Sequence, residues 1–287
     1  MNILTAIAFT PLAGTLVLFF FPRRSVFAAR ITALAASGLA ATLAAAALFL
    51  FSAQDGGFQF AEQFHFIGMK SSFLVASDGL GVLALALVNA IAFLSALFPF
   101  DPEDRRKEYY FWLLFSQAMF TGIIVSGDLL SFSGFWFLSV LPVYFLTSLC
   151  AERAALRYFL PQFAGAVLML AAVTAVQLQA GKGGLVIAET ASGFKLWAVG
   201  FMVLSIIIRI PVFPFNLWMK DFYMQTPGHL SALIAGSSAV TSLYAAQKLL
   251  IPIMKSGVAE FAPGVMILAA FSALYAAVMI LPQKNLK

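Results

Sequence analysis

Long apolar runs are the feature that most constrains this chain. Stretches such as residues 27–51 and 74–99 carry a single charged side chain each, and about 20 mostly apolar residues are what an α-helix needs to cross a bilayer. Lipid offers no hydrogen bonds to exposed peptide groups, so only helices and closed barrels can span it. The runs lack the polar–apolar alternation of barrel strands, and they therefore predict helices.

The amino-acid composition agrees with lipid as the main solvent. Of the 287 residues, 10% are charged and 62% are hydrophobic, whereas about a quarter of a soluble domain is charged. We therefore expect one all-α membrane domain over residues 1–287, a polytopic helix bundle. The first 22 residues lack a basic n-region and an A-x-A-like cleavage site, so we interpret them as a retained first span.

Nine helices are predicted from the apolar runs. The stretch between the second and third, Ser52 to Ser72, contains Asp55, Glu62 and Lys70 and is predicted to be a surface loop. Only residues 126–128 separate the fourth and fifth helices, which predicts a tight antiparallel hairpin. The approximate limits are 2–21, 27–51, 74–99, 109–126, 129–149, 155–178, 193–222 with an interruption, 228–251 and 262–282.

The basic residues indicate topology because Lys and Arg concentrate in cytoplasmic loops. On the predicted spans, eleven of them share one side and five the other, and Arg209 lies inside a span. The richer side should be cytoplasmic, which places the N-terminus outside and the C-terminus inside. The eleven are Arg23, Arg24, Arg30, Arg105, Arg106, Lys107, Arg153, Arg157, Lys220, Lys284 and Lys287; the five are Lys70, Lys182, Lys195, Lys248 and Lys255.

The same residues argue against several other functions. The net charge of +5 comes from basic residues in twos and threes beside apolar runs, not from a groove-sized basic face for nucleic acid. The single cysteine, Cys150, excludes an intramolecular disulfide and a multi-cysteine metal site. No nucleophile with a base, phosphate-binding glycine loop or metal-ligand cluster is visible. We expect no cofactor and no metal.

The segment around Arg209 is the most informative for function. Two prolines three residues apart, Pro211 and Pro214, must kink or break this helix, and a broken membrane helix faces a cavity or another helix. A cation beside such a break is a functional candidate. The alternative is that Arg209 only snorkels to the membrane surface. Asn216 and Asp221 follow the break and are candidates for the same ion path.

Other polar residues admit two interpretations. The eighth helix contains Ser237, Ser238, Thr241 and Ser242, which could line a hydrated path but more often allow close packing of helices. We include the first three of these as ion-path candidates. Asp128, which opens the fifth helix, could cap that helix or act functionally. For His229, at the start of the eighth helix, a cap or surface role is favoured over a proton relay.

Four motifs, in order, resemble one family. The segment IRIPVFPFNLWMKDFYMQTPGHLSALIAG is similar to the seventh and eighth helices of the antiporter-like membrane subunits of respiratory complex I, shared with Mrp-type cation/proton antiporters and membrane-bound hydrogenases. Asp78-Gly79, GDLLSFSGFWFLSVLPVYFL and the terminal LPQKNLK match its third helix, its fifth helix and the segment after its ninth. The resemblance implies that 1–100 holds the first three helices, 101–251 a five-helix antiporter-like repeat, and 252–287 the ninth helix and cytoplasmic end.

The resemblance also identifies departures. The family's fifth-helix glutamate falls on Phe137, and its seventh-helix lysine falls on Arg209, whose guanidinium stays protonated. The basic position of the eighth helix falls on Ala235, Ala239 or Val240, depending on register. Family members continue into a second inverted repeat, whereas this sequence stops at Lys287.

Three hypotheses follow. The first is a degenerate or split antiporter-like subunit, itself non-catalytic, in the membrane arm of a redox-driven or antiporter complex, where it forms scaffold or part of a proton or sodium path. Its partners would be other polytopic subunits, one of which could supply the second repeat. The second is an independent cation/proton transporter. The third is a packing subunit in which a neighbouring chain's acid neutralises Arg209. The expected location is the inner (cytoplasmic) membrane of a bacterium or archaeon.

Overall fold

A helix bundle accounts for most of the chain, and helices occupy all nine predicted segments. The computed structural model describes residues 3–22, 25–52, 54, 57–65, 72–98, 105–180, 196–250 and 261–281. Five helical segments are long and apolar enough to cross a membrane by length and composition, which confirms the all-α membrane class. The helices are α1 (Ile3–Phe20), α2 (Val26–Leu50), α3 (Gly79–Leu97), α4 (Arg106–Val125), α5 (Leu129–Leu138), α6 (Val140–Ser148), α7 (Glu152–Ala180), α8 (Leu196–Arg209), α9 (Leu217–Gln225), α10 (Gly228–Ala245) with a following π-helical segment (Ala246–Leu250), and α11 (Phe261–Ile280).

Neighbouring helices run antiparallel, which defines the two ends of the bundle. α1 packs on α2 and α4, α2 on α3, and α7 on α8. One end, where α3 and α5 begin and α10 ends, also holds a β-hairpin; we call it the hairpin end. At the opposite end, α3 finishes and α7 and α10 begin. Large buried side chains such as Tyr109, Phe120 and Trp136 fill the centre of the bundle.

The prediction of a surface loop between the second and third helices is partly wrong. Strands β1 (Gln59–His65) and β2 (Ser72–Ser77) form an antiparallel hairpin there, and the third helix begins at Gly79, not at residue 74. The reason is Asp78, whose backbone is extended and whose carboxylate caps the helix by accepting from the Gly81 N–H at 3.0 Å. The apolar residues before it therefore join a strand. Asp55 and Lys70 lie outside the described residues.

Asp128 fixes the hairpin to the α4–α5 turn. Its carboxylate accepts from the Ser131 N–H at 2.8 Å, which caps α5, and from the Leu74 N–H of β2 at 3.2 Å. The Gly127 N–H donates to the Leu74 carbonyl at 2.7 Å. The capping role that the sequence left open for Asp128 is therefore the one its contacts show, while the tight turn at residues 126–128 follows the prediction.

Two predicted spans are interrupted. The seventh breaks as expected: α8 ends at Arg209, turns follow, and α9 begins at Leu217. The fifth, predicted over 129–149, is a single span of suitable length (Leu129–Ser148) that is interrupted at Ser139, between α5 and α6. Pro142 explains the second break, because it has no N–H to donate to the Leu138 carbonyl four residues earlier, and its ring crowds that carbonyl.

Candidate functional site

Arg209 meets the break in the fifth helix, so the two interruptions lie side by side. Arg209 is buried, with 3% of the residue exposed. Nη1 donates to the Trp136 carbonyl at 3.1 Å, and Nη2 donates to the Ser139 hydroxyl at 2.6 Å. Ser139 in turn donates to the Trp136 carbonyl at 2.7 Å. The site is thus formed by the last residue of α8 and the last turn of α5.

Aromatic rings complete the environment of the guanidinium. Its central carbon lies 4.1 Å from the Trp136 ring centroid and 5.8 Å from that of Phe120, and a cation above an aromatic face is stabilised by the ring quadrupole. The Trp136 indole is itself held by a hydrogen bond from Nε1 to the Ser205 hydroxyl at 3.2 Å. The charge is therefore fixed in place by α4, α5 and α8.

The partners of the Arg209 guanidinium belong to the fifth helix. They are not among the ion-path candidates that the sequence analysis named near the break and on the eighth helix. Asp221 instead pairs with Arg157, and both side chains are partly exposed. Arg209 makes no ion pair within the described part of the chain. Since the guanidinium is buried, the snorkelling alternative does not describe this structure.

A cavity of about 290 Å³ adjoins Arg209. It is large enough for several water molecules. Of its lining residues, Arg209 Nε and Trp218 Nε1 donate no hydrogen bond to any described residue. Tyr158 Oη, whose ring contacts that of Trp218, and Asn216 Oδ1, directly before α9, are also without a described partner. Buried polar atoms of this kind are nearly always satisfied by protein or water, so this region has the chemistry of a hydrated site.

The three ion-path candidates on the eighth predicted helix, α10, lie on two different faces of that helix. Ser238 lines the cavity beside Arg209 together with Ala235 and Ala239, two of the positions where the family's basic residue falls. Ser237 and Thr241 are fully buried on the other side of the helix. The structure therefore brings Ser238 to Arg209 and places the other two elsewhere.

A buried polar cluster between α3 and α4 was missed by the sequence reasoning. The Asn89 amide donates to Thr121 Oγ1 at 3.3 Å, and the Gln117 amide donates to Asn89 Oδ1 at 2.8 Å. All three side chains are 0% exposed. The sequence did contain a sign of this cluster, because one apolar run holds an asparagine and another a glutamine. Polar amides inside membrane helices are costly unless they are paired.

The remaining predicted polar residues have packing roles. The His229 ring lies between Phe98 and Tyr109, with ring centroids 6.1 and 5.8 Å away, so it is packed at the start of α10. Cys150 is half-buried in the turn before α7, and burial raises the pKa of its thiol to about 11. A thiol with that pKa stays protonated near neutral pH and reacts slowly.

Comparison with known families decides what kind of bundle this is. Residues 126–287, more than half of the chain and including both broken helices, match the family described as NADH:quinone oxidoreductase/Mrp antiporter, TM. The chain belongs to this family. The resemblance inferred from the four motifs is thereby confirmed, and the protein is an antiporter-type integral membrane protein.

Relatives in the NADH:quinone oxidoreductase/Mrp antiporter family are larger. NADH-quinone oxidoreductase subunit M of Rhodobacter capsulatus is 27% identical, with 100% of this chain and 60% of that protein aligned. Subunit M of Pseudomonas aeruginosa is also 27% identical, over 74% of this chain and 46% of that protein. The chain thus spans about half the length of the curated relatives it matches.

Solved structures share the fold. A chain of respiratory complex I from Thermus thermophilus with bound NADH superposes with a TM-score of 0.76 at 24% identity, covering 96% of this chain and 58% of that one. A chain of the membrane-bound sulfane sulfur reductase, an archaeal respiratory membrane complex, has a TM-score of 0.74 at 18% identity, covering 89% and 42%. At these identities the likeness establishes the fold.

The family's carboxylate position is filled by an aromatic ring. Phe137 follows Trp136 directly, and its ring centroid lies 5.4 Å from that of Phe163 on α7. The residue therefore contributes to an apolar contact between α5 and α7. The assignment of a lost carboxylate to Phe137 stays a prediction from the resemblance.

Proposed function

We propose that this chain is a degenerate antiporter-like subunit of a complex-I-type, or related redox-driven or antiporter, membrane assembly, and that Arg209 is a fixed positive charge beside a hydrated ion path. The observation that carries the proposal is the burial of the Arg209 guanidinium between two broken helices, on a carbonyl, a hydroxyl and a ring, with no ion pair among the described residues. A cation in this position without a carboxylate remains a net charge.

Arginine suits a permanent charge and not a proton carrier. Its guanidinium stays protonated in proteins, and the planar fork of donors reaches the Trp136 carbonyl and the Ser139 hydroxyl together. A second unit charge about 4 Å away would be repelled by about 4 kcal/mol at an effective dielectric constant of 20. Arg209 would therefore order water in the adjacent cavity and oppose the passage of cations through it.

Two exposed apolar faces beside the site are available to partner subunits. The cavity at Arg209 opens along a face of α10 where Leu243 is 62% exposed. α11 carries exposed apolar side chains, including Met266 at 70% and Leu274 at 69%, and it contacts the break after α8 through Phe213. Other polytopic membrane subunits are proposed to cover these faces.

The first test is the assembly state. Extraction of an affinity-tagged chain in mild detergent is expected to recover it with other polytopic membrane subunits in fixed stoichiometry. The isolated chain in liposomes is expected to move no ions, because the Arg209 cavity would lack its cover. Mass spectrometry and a proton-sensitive dye measure the two results. Stable, transport-active liposomes containing only this chain would favour the independent transporter instead.

Orientation is the second prediction in this section. The proposed cytoplasmic side is the end opposite the hairpin, which carries Arg157 and Lys220, and the eleven-to-five division of basic residues supports it. A reporter fused after Lys287 is expected to be active in the cytoplasm, and one that needs an extracytoplasmic compartment is expected to be inactive. The reverse pattern would contradict the proposed topology.

A further inference from the structure

A line of polar side chains follows the side of α10 that faces away from Arg209, and two polar residues of the neighbouring helix α3 accompany it. On α10 the members recur at spacings of four, three and four residues, which places them on one helical face. On α3 they are eleven residues apart, or about three turns. We call this set the polar seam: Asp78 and Asn89 of α3, and Ser237, Thr241, Tyr244 and Lys248 of α10 and its π-helical extension.

The seam ends in an ion pair at the hairpin end. Lys248 Nζ lies 2.6 Å from Asp78 Oδ2, and the two side chains are only 17% and 25% exposed. The ammonium also lies 4.7 Å from the ring centroid of Phe58 and 5.8 Å from that of Tyr244. By contrast, the side chains of Arg157 and Asp221 at the opposite end are 64% and 34% exposed. The first pair is covered and the second is open to water.

The helix geometry at Lys248 is unusual. Residues Ala246–Leu250 form a single π-helical turn, a feature that often occurs at functional sites. This turn carries Lys248. Both members of the pair can bind or release a proton, in contrast to Arg209.

The seam connects this pair to the centre of the bundle. α3 and α10 run antiparallel, since Asp78 contacts Lys248 at one end and the Ser95 hydroxyl donates to the His229 carbonyl at the other. Asn89 follows Asp78 by eleven residues, and Ser237 precedes Lys248 by the same number. Asn89 and Ser237 therefore lie at a similar depth, roughly 16 Å from the pair.

Two buried atoms at that depth have unused hydrogen-bonding capacity. Gln117, which binds Asn89, has no partner for Oε1, and Ser237 has none for Oγ, among the residues that the structure describes. Both side chains are 0% exposed. Gln117 Oε1 can accept a hydrogen bond and Ser237 Oγ can donate or accept one, so each atom can bind a water molecule.

We propose that Lys248 and Asp78 form the outer proton-exchanging pair of a second path, along the polar seam, separate from the cavity at Arg209. In the exchange, the Lys248 N–H bond breaks as an O–H bond forms on Asp78, which leaves an amine and a carboxylic acid. Asp78 then releases the proton to water at the hairpin end, and the amine takes another from water along the seam. This inference rests on the proposed function, in which the chain is a subunit of an ion-moving membrane complex.

The Lys248→Arg variant distinguishes proton exchange from a purely structural ion pair that holds α3 and α10 together. Arginine keeps the positive charge and can pair with Asp78, but its guanidinium stays protonated in proteins and does not release a proton as an ammonium does. In native membrane vesicles containing the whole complex, assembly should be normal, while proton accumulation per redox turnover falls. Unchanged proton accumulation would overturn the proposal, and the Lys248–Asp78 pair would then have only a structural role.

A double variant covers the case in which arginine does not fit. Lys248→Gln with Asp78→Asn keeps a hydrogen-bonded neutral pair and removes both exchangeable protons, so proton accumulation should fall while the complex assembles. Normal accumulation in this variant would also overturn the proposal. Arg157→Lys, in the exposed pair at the other end, is the matched control and should change neither assembly nor accumulation.

Arg209→Leu, measured in the same vesicles, distinguishes failure of this inference from failure of the proposed function. If Arg209→Leu changes proton leak and both Lys248 variants behave as the unmodified complex, only the seam proposal fails. If none of the variants changes proton movement, the proposed function fails with it.

Discussion

Replacing Arg209 with leucine is expected to leave assembly intact and to raise proton leak at least about tenfold, because loss of a repulsion of only about 1.4 kcal/mol gives that factor in rate. Leucine packs on the Trp136 and Phe120 rings that now surround the guanidinium. The variant therefore removes the charge while an apolar side chain remains between α4, α5 and α8. Leak is measured as the decay of a proton gradient in native membrane vesicles.

Arg209→Lys is the matched control for that experiment. Lysine keeps the charge but loses the planar fork that reaches the Trp136 carbonyl and the Ser139 hydroxyl together. We expect normal assembly, low leak, and coupling that is unchanged or improved, since a lysine can also exchange a proton. If leucine and lysine both left assembly, leak and coupling as they were, Arg209 would have no role in the ion path.

The second large effect is expected at Gly122, where α4 meets α5. A Cβ atom there would lie 2.5 Å from Phe135 Cδ1 and 2.7 Å from Cγ, too close for the base of an aromatic side chain to yield without moving the helix. Gly122→Ala is therefore expected to destabilise the protein by about 1–3 kcal/mol. Thermal unfolding of the purified complex in detergent, followed by tryptophan fluorescence, measures the loss.

Gly134 supplies the control on the neighbouring helix. A Cβ at this position meets no atom within 4 Å, and alanine is favoured over glycine inside a helix by roughly 0.5–1 kcal/mol. Gly134→Ala should therefore leave the unfolding temperature unchanged or raise it slightly. Equal unfolding temperatures for the two variants would show that α4 and α5 do not approach as closely as described.

The fold was largely predictable because lipid imposes a simple rule on sequence. Apolar runs of spanning length located all nine helical segments, and the two prolines after Arg209 located the break in the seventh. The hairpin was missed because Ser72–Ser77 is as apolar as the helix that follows it. Hydropathy does not separate a buried strand from the first turn of a helix; the cap formed by Asp78 does.

The site was predictable only in part. Arg209 stood out because a cation inside an apolar run needs compensation, but its partners lie seventy or more residues earlier in the chain, and one of them is a backbone carbonyl that no side-chain pattern reveals. Asp221 was the natural candidate from proximity in sequence, yet it pairs with Arg157. Lys248 was counted with the basic residues of one membrane side, although the predicted eighth helix contains it, because nothing in its neighbourhood predicted a covered contact with Asp78.

The attachment of the hairpin to the α4–α5 turn has a consequence for biosynthesis. Leu74 donates to Asp128, which is fifty-four residues later in the chain. At roughly 5–20 residues per second, a ribosome needs on the order of 3–10 s to make the missing partner after Leu74 has been polymerised. During that interval α1, α2 and α3 can already lie in the membrane, but the α4–α5 turn that binds Leu74 has not yet been made. The hairpin end is therefore expected to acquire its final structure after the helices it covers.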